Sequence, residues 1–258
     1  MFPLDLTLKF MLQKILFSLL IVFLFADCKP DETEPEFVTI LLRIGHKASG
    51  KELVKEELIY KDSAGQKYSI TTFNYFISNI KLRNKEQNIF YQEVDSYHLV
   101  KSFLNPNNTE IILKNVPRKK FAEMELSIGV DSIANKNIDK LGQLDPGSDM
   151  IWNWEEGYKF FDFTGRYMDG TNLNPFVFHI GGNENYKTLT FSFPALLGNN
   201  YDVVKDGQII LEADASGILG SPNKVDFKVT NNVMSTKVGA DKIAENYANG
   251  FLKLVGAN

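Results

Sequence analysis

One aromatic run limits what this chain can fold into more than any other feature. Residues 150–163 read Met150-Ile151-Trp152-Asn153-Trp154-Glu155-Glu156-Gly157-Tyr158-Lys159-Phe160-Phe161-Asp162-Phe163, and Phe176-Val177-Phe178-His179-Ile180-Gly181 follows closely. An extended chain alternates its side chains between two faces, so Met150, Trp152 and Trp154 share one face and the two indoles stand side by side. The same rule puts Phe176, Phe178 and Ile180 on one face and His179 on the other. Both tryptophans of the protein lie here. A packed aromatic pair is their simplest role.

The rest of the chain reads as scaffold for this stretch. Val38, Ile40, Leu42 and Ile44 alternate as a first strand that Gly45 and the Ser49-Gly50 turn bring to an end. Leu58-Ile59-Tyr60 and Tyr68-Ser69-Ile70 flank Asp62-Ser63-Ala64-Gly65, a hairpin signature. Residues 72–82 carry too many aromatic and β-branched side chains to favour a helix. Further strands are expected at 96–100, 110–113, 121–128, 176–180, 187–193, 208–213 and 224–229. Ala240, Ile243, Ala244, Tyr247, Phe251 and Leu254 recur at helical spacing, which predicts one amphipathic helix over residues 239–254. With 258 residues, 44% of them hydrophobic, a single large all-β domain is accessible. The expected class is all-β: an antiparallel β-sandwich with long loops and one C-terminal helix.

Residues 1–28 stand apart from that domain. A basic start at residues 11–14 precedes an apolar run over 15–25, the length of a signal-peptide core and too short for a permanent span. Cys28, the one cysteine in the chain, stands just beyond it, where a bacterial lipoprotein carries its acylated residue. Asp27 before it is atypical, and cleavage near Ala26 with a free thiol is the alternative. Residues 29–36 are charged and proline-bearing, an extended acidic tether. The folded domain is thus expected over residues 37–258, held to the bacterial outer membrane, on its periplasmic or surface side, through a lipid anchor.

Composition and spacing exclude several functions. A net charge of −4, with no basic cluster longer than Arg118-Lys119-Lys120, argues against nucleic-acid partners. No nucleophile elbow, phosphate loop or paired zinc histidines appear. The acid pairs Glu56-Glu57 and Glu155-Glu156 would point to opposite faces of a strand, which is wrong for shared acid–base work. An enzyme is therefore not expected. The long connection over residues 129–148, with Asp139 and Asp145 and the nearby Asp149, Glu155 and Glu156, offers hard oxygen ligands for calcium, although no dedicated loop spacing is present. A surface module binding carbohydrate or protein, with exposed tryptophans and no metal, is the alternative reading.

Five elements in order resemble one family. They are Tyr75-Phe76-Ile77-Ser78-Asn79-Ile80, Ile128-Gly129-Val130-Asp131-Ser132, Leu144-Asp145-Pro146, the Met-x-Trp-x-Trp-x-x-Gly-Tyr element at 150–158, and Phe178-His179-Ile180-Gly181. Together they resemble the MbnP-like family, named for a periplasmic partner of a methanobactin copper system. That resemblance implies a secreted β-sandwich, some of whose members bind copper through histidines and a kynurenine. The kynurenine is made from a tryptophan by a dihaem peroxidase-like enzyme. Carried onto this chain, Trp152 and Trp154 are the candidates for modification, and His179 and then His46 the candidate ligands. His98 is expected to be a hydrogen-bonded sheet residue. Copper-binding members have a histidine close to the modified tryptophan, whereas Trp152 here is flanked by Ile151, Asn153 and Trp154.

Overall fold

A computed structural model describes residues 36–84, 89–104, 109–137, 142–153, 155–236 and 238–258. Cys28 and the expected tether up to residue 35 lie outside the described residues, as do Asp139 and Trp154. The compact unit spans Phe37–Asn258.

Among the described residues nine strands precede the long connection: β1 (Phe37–Ala48), β2 (Lys51–Glu52), β3 (Tyr60–Lys61), β4 (Lys67–Asn84), β5 (Ile89–Gln92), β6 (Tyr97–Lys101), β7 (Thr109–Pro117), β8 (Lys120–Phe121) and β9 (Glu123–Ile128). After it come β10 (Ile151–Asn153), β11 (Gly157–Asp169), β12 (Asn172–Gly181), β13 (Lys187–Ser192), β14 (Tyr201–Asp202), β15 (Gly207–Asp214), β16 (Asn232–Ser235) and β17 (Leu252–Ala257). One sheet runs β17-β15-β1-β2, with β7 also on β1. A second runs β13-β9-β4-β11-β12-β16, and β8 pairs with β14 as a separate two-stranded sheet. Most neighbours are antiparallel, but β1 runs parallel to β15 and β12 parallel to β16. The fold is therefore a predominantly antiparallel sandwich, as expected.

Alternation explains the core between the sheets. Along β1 every second side chain from Val38 to Ala48 is buried, and Ile209, Leu211 and Ala213 of β15 join them. The second sheet answers with Phe73 and Tyr75 of β4, Phe161 and Phe163 of β11, and Phe176 and Phe178 of β12. Their rings pack at centroid separations of 5–6 Å, where edge and offset contacts add to area burial; Phe73 lies 5.7 Å from both Phe161 and Phe163. The expected hairpin is present. Tyr60 pairs with Tyr68, and Gly65 supplies the positive φ of +82°.

Three expectations need correction. The first strand does not stop at Gly45, which sits in β1 opposite Glu212; the strand runs on through His46 to Ala48. Residues 224–229 form a turn. Asp226 Oδ1 accepts the Lys228 N–H and the Asp226 carbonyl accepts those of Val229 and Thr230, so local side-chain and turn bonding displaces a ladder. The terminal helix is short. Ala240–Asn246 is α-helical, Tyr247–Phe251 forms a wider π turn, and the chain then leaves as β17 to pair with β15. Asn249-Gly250 is a poor helix continuation, and the unpaired edge of β15 offers Leu252 onward a full set of backbone bonds.

Helical spacing nevertheless placed the right rings inside. Tyr247 stacks on Phe161 at 5.4 Å and Phe251 meets Tyr75 edge-on at 4.9 Å. Phe251 is fully buried and Leu254 only partly so. Phe251→Ala should cost about 3–4 kcal/mol in urea unfolding, and Leu254→Ala clearly less. Equal costs would contradict this packing.

Candidate functional site

The second sheet is apolar on both faces, and the long connection covers the outer one. Tyr75 points into the sandwich, so its neighbour Phe76 must point out. Phe76, Val130, Ala134, Leu144, Met150, Tyr158 and Phe160 form a second, smaller core there. Phe76 and Tyr158 meet edge-on at 5.6 Å. The described residues between 129 and 158 build this third layer.

Polar ties hold the layer in place. The register of β4 against β9 shifts between Ser78 and Lys81, with Asn79 at φ +53°. Ser78 Oγ donates to the Gly129 carbonyl at 2.8 Å. Asn79 Nδ2 donates to Tyr186 Oη at 2.7 Å and to the Asp131 carboxylate at 3.3 Å. Asp131 also accepts from the Tyr97 hydroxyl and, as a helix N-cap, from the backbone of Ile133 and Ala134. Farther along, Tyr158 Oη donates to the Leu144 carbonyl at 2.6 Å and Asn135 Oδ1 accepts the Tyr158 N–H at 2.9 Å. Gly157 holds φ +79°, and a Cβ there would lie 2.3 Å from Asn135 Oδ1. The elements that carry the family resemblance therefore serve first to pin the connection.

Trp152 stands on that layer, above the end of β12. A Cβ on Gly181 would lie 3.0 Å from Trp152 Cζ3, so only glycine lets the indole settle on the strand. The indole meets the His179 imidazole nearly edge-on, centroids 6.5 Å apart at 75°. His179 pairs across the strands with Asp162. Its Nε2 lies 3.3 Å from Asp162 Oδ1, and Lys159 Nζ lies 3.7 Å from Asp162 Oδ2. These side chains are only 17%, 12% and 13% exposed. Asp162 Oδ1 is buried and receives no hydrogen bond, so the imidazole is near but not aimed at it. On its other side His179 pairs with Met234 of β16, an exposed residue next to the buried Val233. Asp162, His179 and Met234 thus line up across three strands on the outer face, beside Trp152.

The other two histidines lie elsewhere. His46 is 3% exposed in the core between the sheets, sharing a 2.9 Å hydrogen bond with Tyr75 Oη and lying edge-on to Phe73. Because Tyr75 points inward and His179 outward from one sheet, the two imidazoles cannot meet on one ion. A two-histidine site of His46 and His179 is therefore ruled out by the alternation that buries His46. His98 bonds Glu93 at 2.8 Å from β6, in keeping with a sheet residue. Asp145 caps the turn at 146–148 through Gly147 N–H. Among the described residues no three His, Cys, Asp or Glu side chains converge to hold a metal. Sequence reasoning passed over Asp162 and Met234, which only strand register brings to His179.

The family model named MbnP matches residues 38–235. The chain belongs to the MbnP family. Among solved structures it is similar to MbnP from Methylosinus trichosporium, at 14% identity and a TM-score of 0.52, over 80% of this chain and 84% of that one. At that identity the likeness speaks for the fold alone. A search of curated proteins finds no match.

Two outcomes follow for this MbnP-family domain. Asp162→Ala leaves Lys159 mostly buried without its carboxylate, and should lower stability by about 2–3 kcal/mol in denaturant unfolding; a loss near zero would contradict the buried ion group. Burial pushes the Asp131 carboxyl up, but hydrogen bonds from Tyr97, Ala134, Asn79 and Ile133 outweigh it and hold the group below the usual carboxylate range. A lowered folded value gives stability that is full above the unfolded value, roughly pH 4, and is lost as pH falls through the folded value. Asp131→Asn should flatten that acid limb in pH-dependent melting, and an unchanged limb would contradict it.

Proposed function

We propose that this chain is a lipid-anchored cell-envelope protein that binds copper on the outer face of its second sheet, beside Trp152. The observation that carries the reading is the edge-on approach of Trp152 to His179, with Asp162 next to the imidazole. An imidazole nitrogen, a buried carboxylate oxygen without a hydrogen-bond donor and a thioether on the same face make a mixed donor set that copper accepts. Opening the Trp152 indole to kynurenine would add an amine and a carbonyl beside that set. A dihaem peroxidase-like partner supplies this oxidation, and Trp152 is partly exposed. Trp154 is the other candidate. The role is binding and not catalysis, since no nucleophile and base pair meets at this face.

The fit also explains why one histidine can suffice. Where other members place a histidine near the modified tryptophan, this chain offers Asp162 and Met234 from neighbouring strands. Lys159 competes for the Asp162 carboxylate, so metal entry must displace that ion pair at 3.7 Å. Cys28 provides the membrane attachment through its lipid.

Peptide mass spectrometry of protein taken from its native envelope tests both parts. Kynurenine at position 152 and a lipid on Cys28 are expected, and an intact indole at both tryptophans would overturn the modified-tryptophan reading. In the same material His179→Ala should weaken copper binding by about 10–100-fold, as should Asp162→Asn, whereas His46→Gln should leave it unchanged. Copper retained by His179→Ala and lost by His46→Gln would overturn the assignment.

A further inference from the structure

A second cluster of bare oxygens lies far from Trp152 in sequence, where the β3–β4 hairpin meets the turn at residues 224–229. Asp62 is 8% exposed. Its Oδ1 accepts the N–H groups of Ala64 and Gln66, but its Oδ2 is buried and has no hydrogen-bond partner. Gln66 repeats the pattern. Its Nε2 donates to Asp226 Oδ1 at 2.9 Å, while its Oε1 is buried and unpartnered. Asp226 uses that same Oδ1 for the Lys228 N–H, which leaves its Oδ2 outside both bonds. Asp62, Gln66 and Asp226 are thus tied in series by hydrogen bonds, each with an oxygen to spare.

Two buried oxygens without donors are costly, because each has lost its water with nothing in return. A second carboxylate nearby adds repulsion. Burial first, and then the charge of Asp226, push the Asp62 carboxyl above the usual range, partly offset by the backbone bonds from Gln66 and Ala64. One change relieves all of this: a cation among the oxygens. The donors are two carboxylates and an amide carbonyl, all hard, with no nitrogen or sulfur presented. Lys228, two residues from Asp226, pairs with Asp169 at 2.8 Å and is further held charged by Asp226.

We infer that Asp62, Gln66 and Asp226 form a calcium site that clamps the β3–β4 hairpin to the turn at residues 224–229. With three protein ligands and water completing the shell, the affinity belongs in the weak range of extracellular modules, about 0.1–1 mM. The bound ion turns an unsatisfied pocket into a brace. It also locates calcium away from the acids of the long connection, where Asp145 is already committed to a turn.

Chelator-treated full-length protein, melted with and without about 5 mM calcium chloride at constant ionic strength, provides the test. A rise of about 2–9 °C is expected for the wild type, and none for Asp62→Asn or Asp226→Asn. Terbium serves as a second probe on the unaltered protein, where no variant has to fold. Tyr60 and Tyr68 lie close to Asp62, so terbium emission should be sensitised by tyrosine excitation, suppressed by calcium, and not sensitised by selective tryptophan excitation. Sensitisation through tryptophan would place the ion at the long connection and overturn the inference. So would the absence of any calcium response in the wild type, or a melting gain on acidification that needs no cation, which would mean that Asp62 is held neutral instead.

Discussion

Everything in this domain depends on the second sheet being apolar on both faces. β4 and β11 alternate large rings, so Tyr75 and Phe161 enter the sandwich while Phe76, Tyr158 and Phe160 face the other way. The inner rings are covered by the first sheet and by the terminal turn that carries Phe251. The outer rings need a cover of their own, since leaving several aromatic side chains in water would forgo about 2 kcal/mol each. Residues 129–158 provide it, and Ser78, Asn79, Asp131 and Asn135 tie it down through hydrogen bonds.

That cover fixes the chemistry available to the site. It sets Trp152 on Gly181 and next to His179, at the edge of a third layer and not in the sandwich. The inner face is sealed. His46 and Tyr75 share a hydrogen bond there, and burial holds the Tyr75 phenol well above its usual range, so it stays protonated. Among the described residues, the outer face combines partial exposure with a carboxylate, an imidazole, a thioether and an indole.

Much of this was legible in the sequence, because period two is a local property. The split between Phe176, Phe178 and Ile180 on one side and His179 on the other follows from alternation alone, and so does the hairpin around Gly65. The motif at 150–158 lies on the layer that covers the outer face. What sequence could not supply is the partner across a strand: Asp162 and Met234 reach His179 through register, from residues 17 and 55 positions away. His46 was misplaced for a related reason. A glycine in a strand looks like an ending, yet Gly45 continues β1 because its neighbour strand β15 supplies the ladder. The closing helix was over-extended because Phe251 and Leu254 satisfy a helical spacing that the wide turn and β17 also satisfy.

The most direct measurement is an anomalous-scattering map at the copper edge from crystals of copper-loaded protein prepared from its native envelope. The account predicts a single peak within bonding distance of His179 Nε2, on the outer face and beside residue 152. A peak at His46 or His98, or none at all, would contradict it.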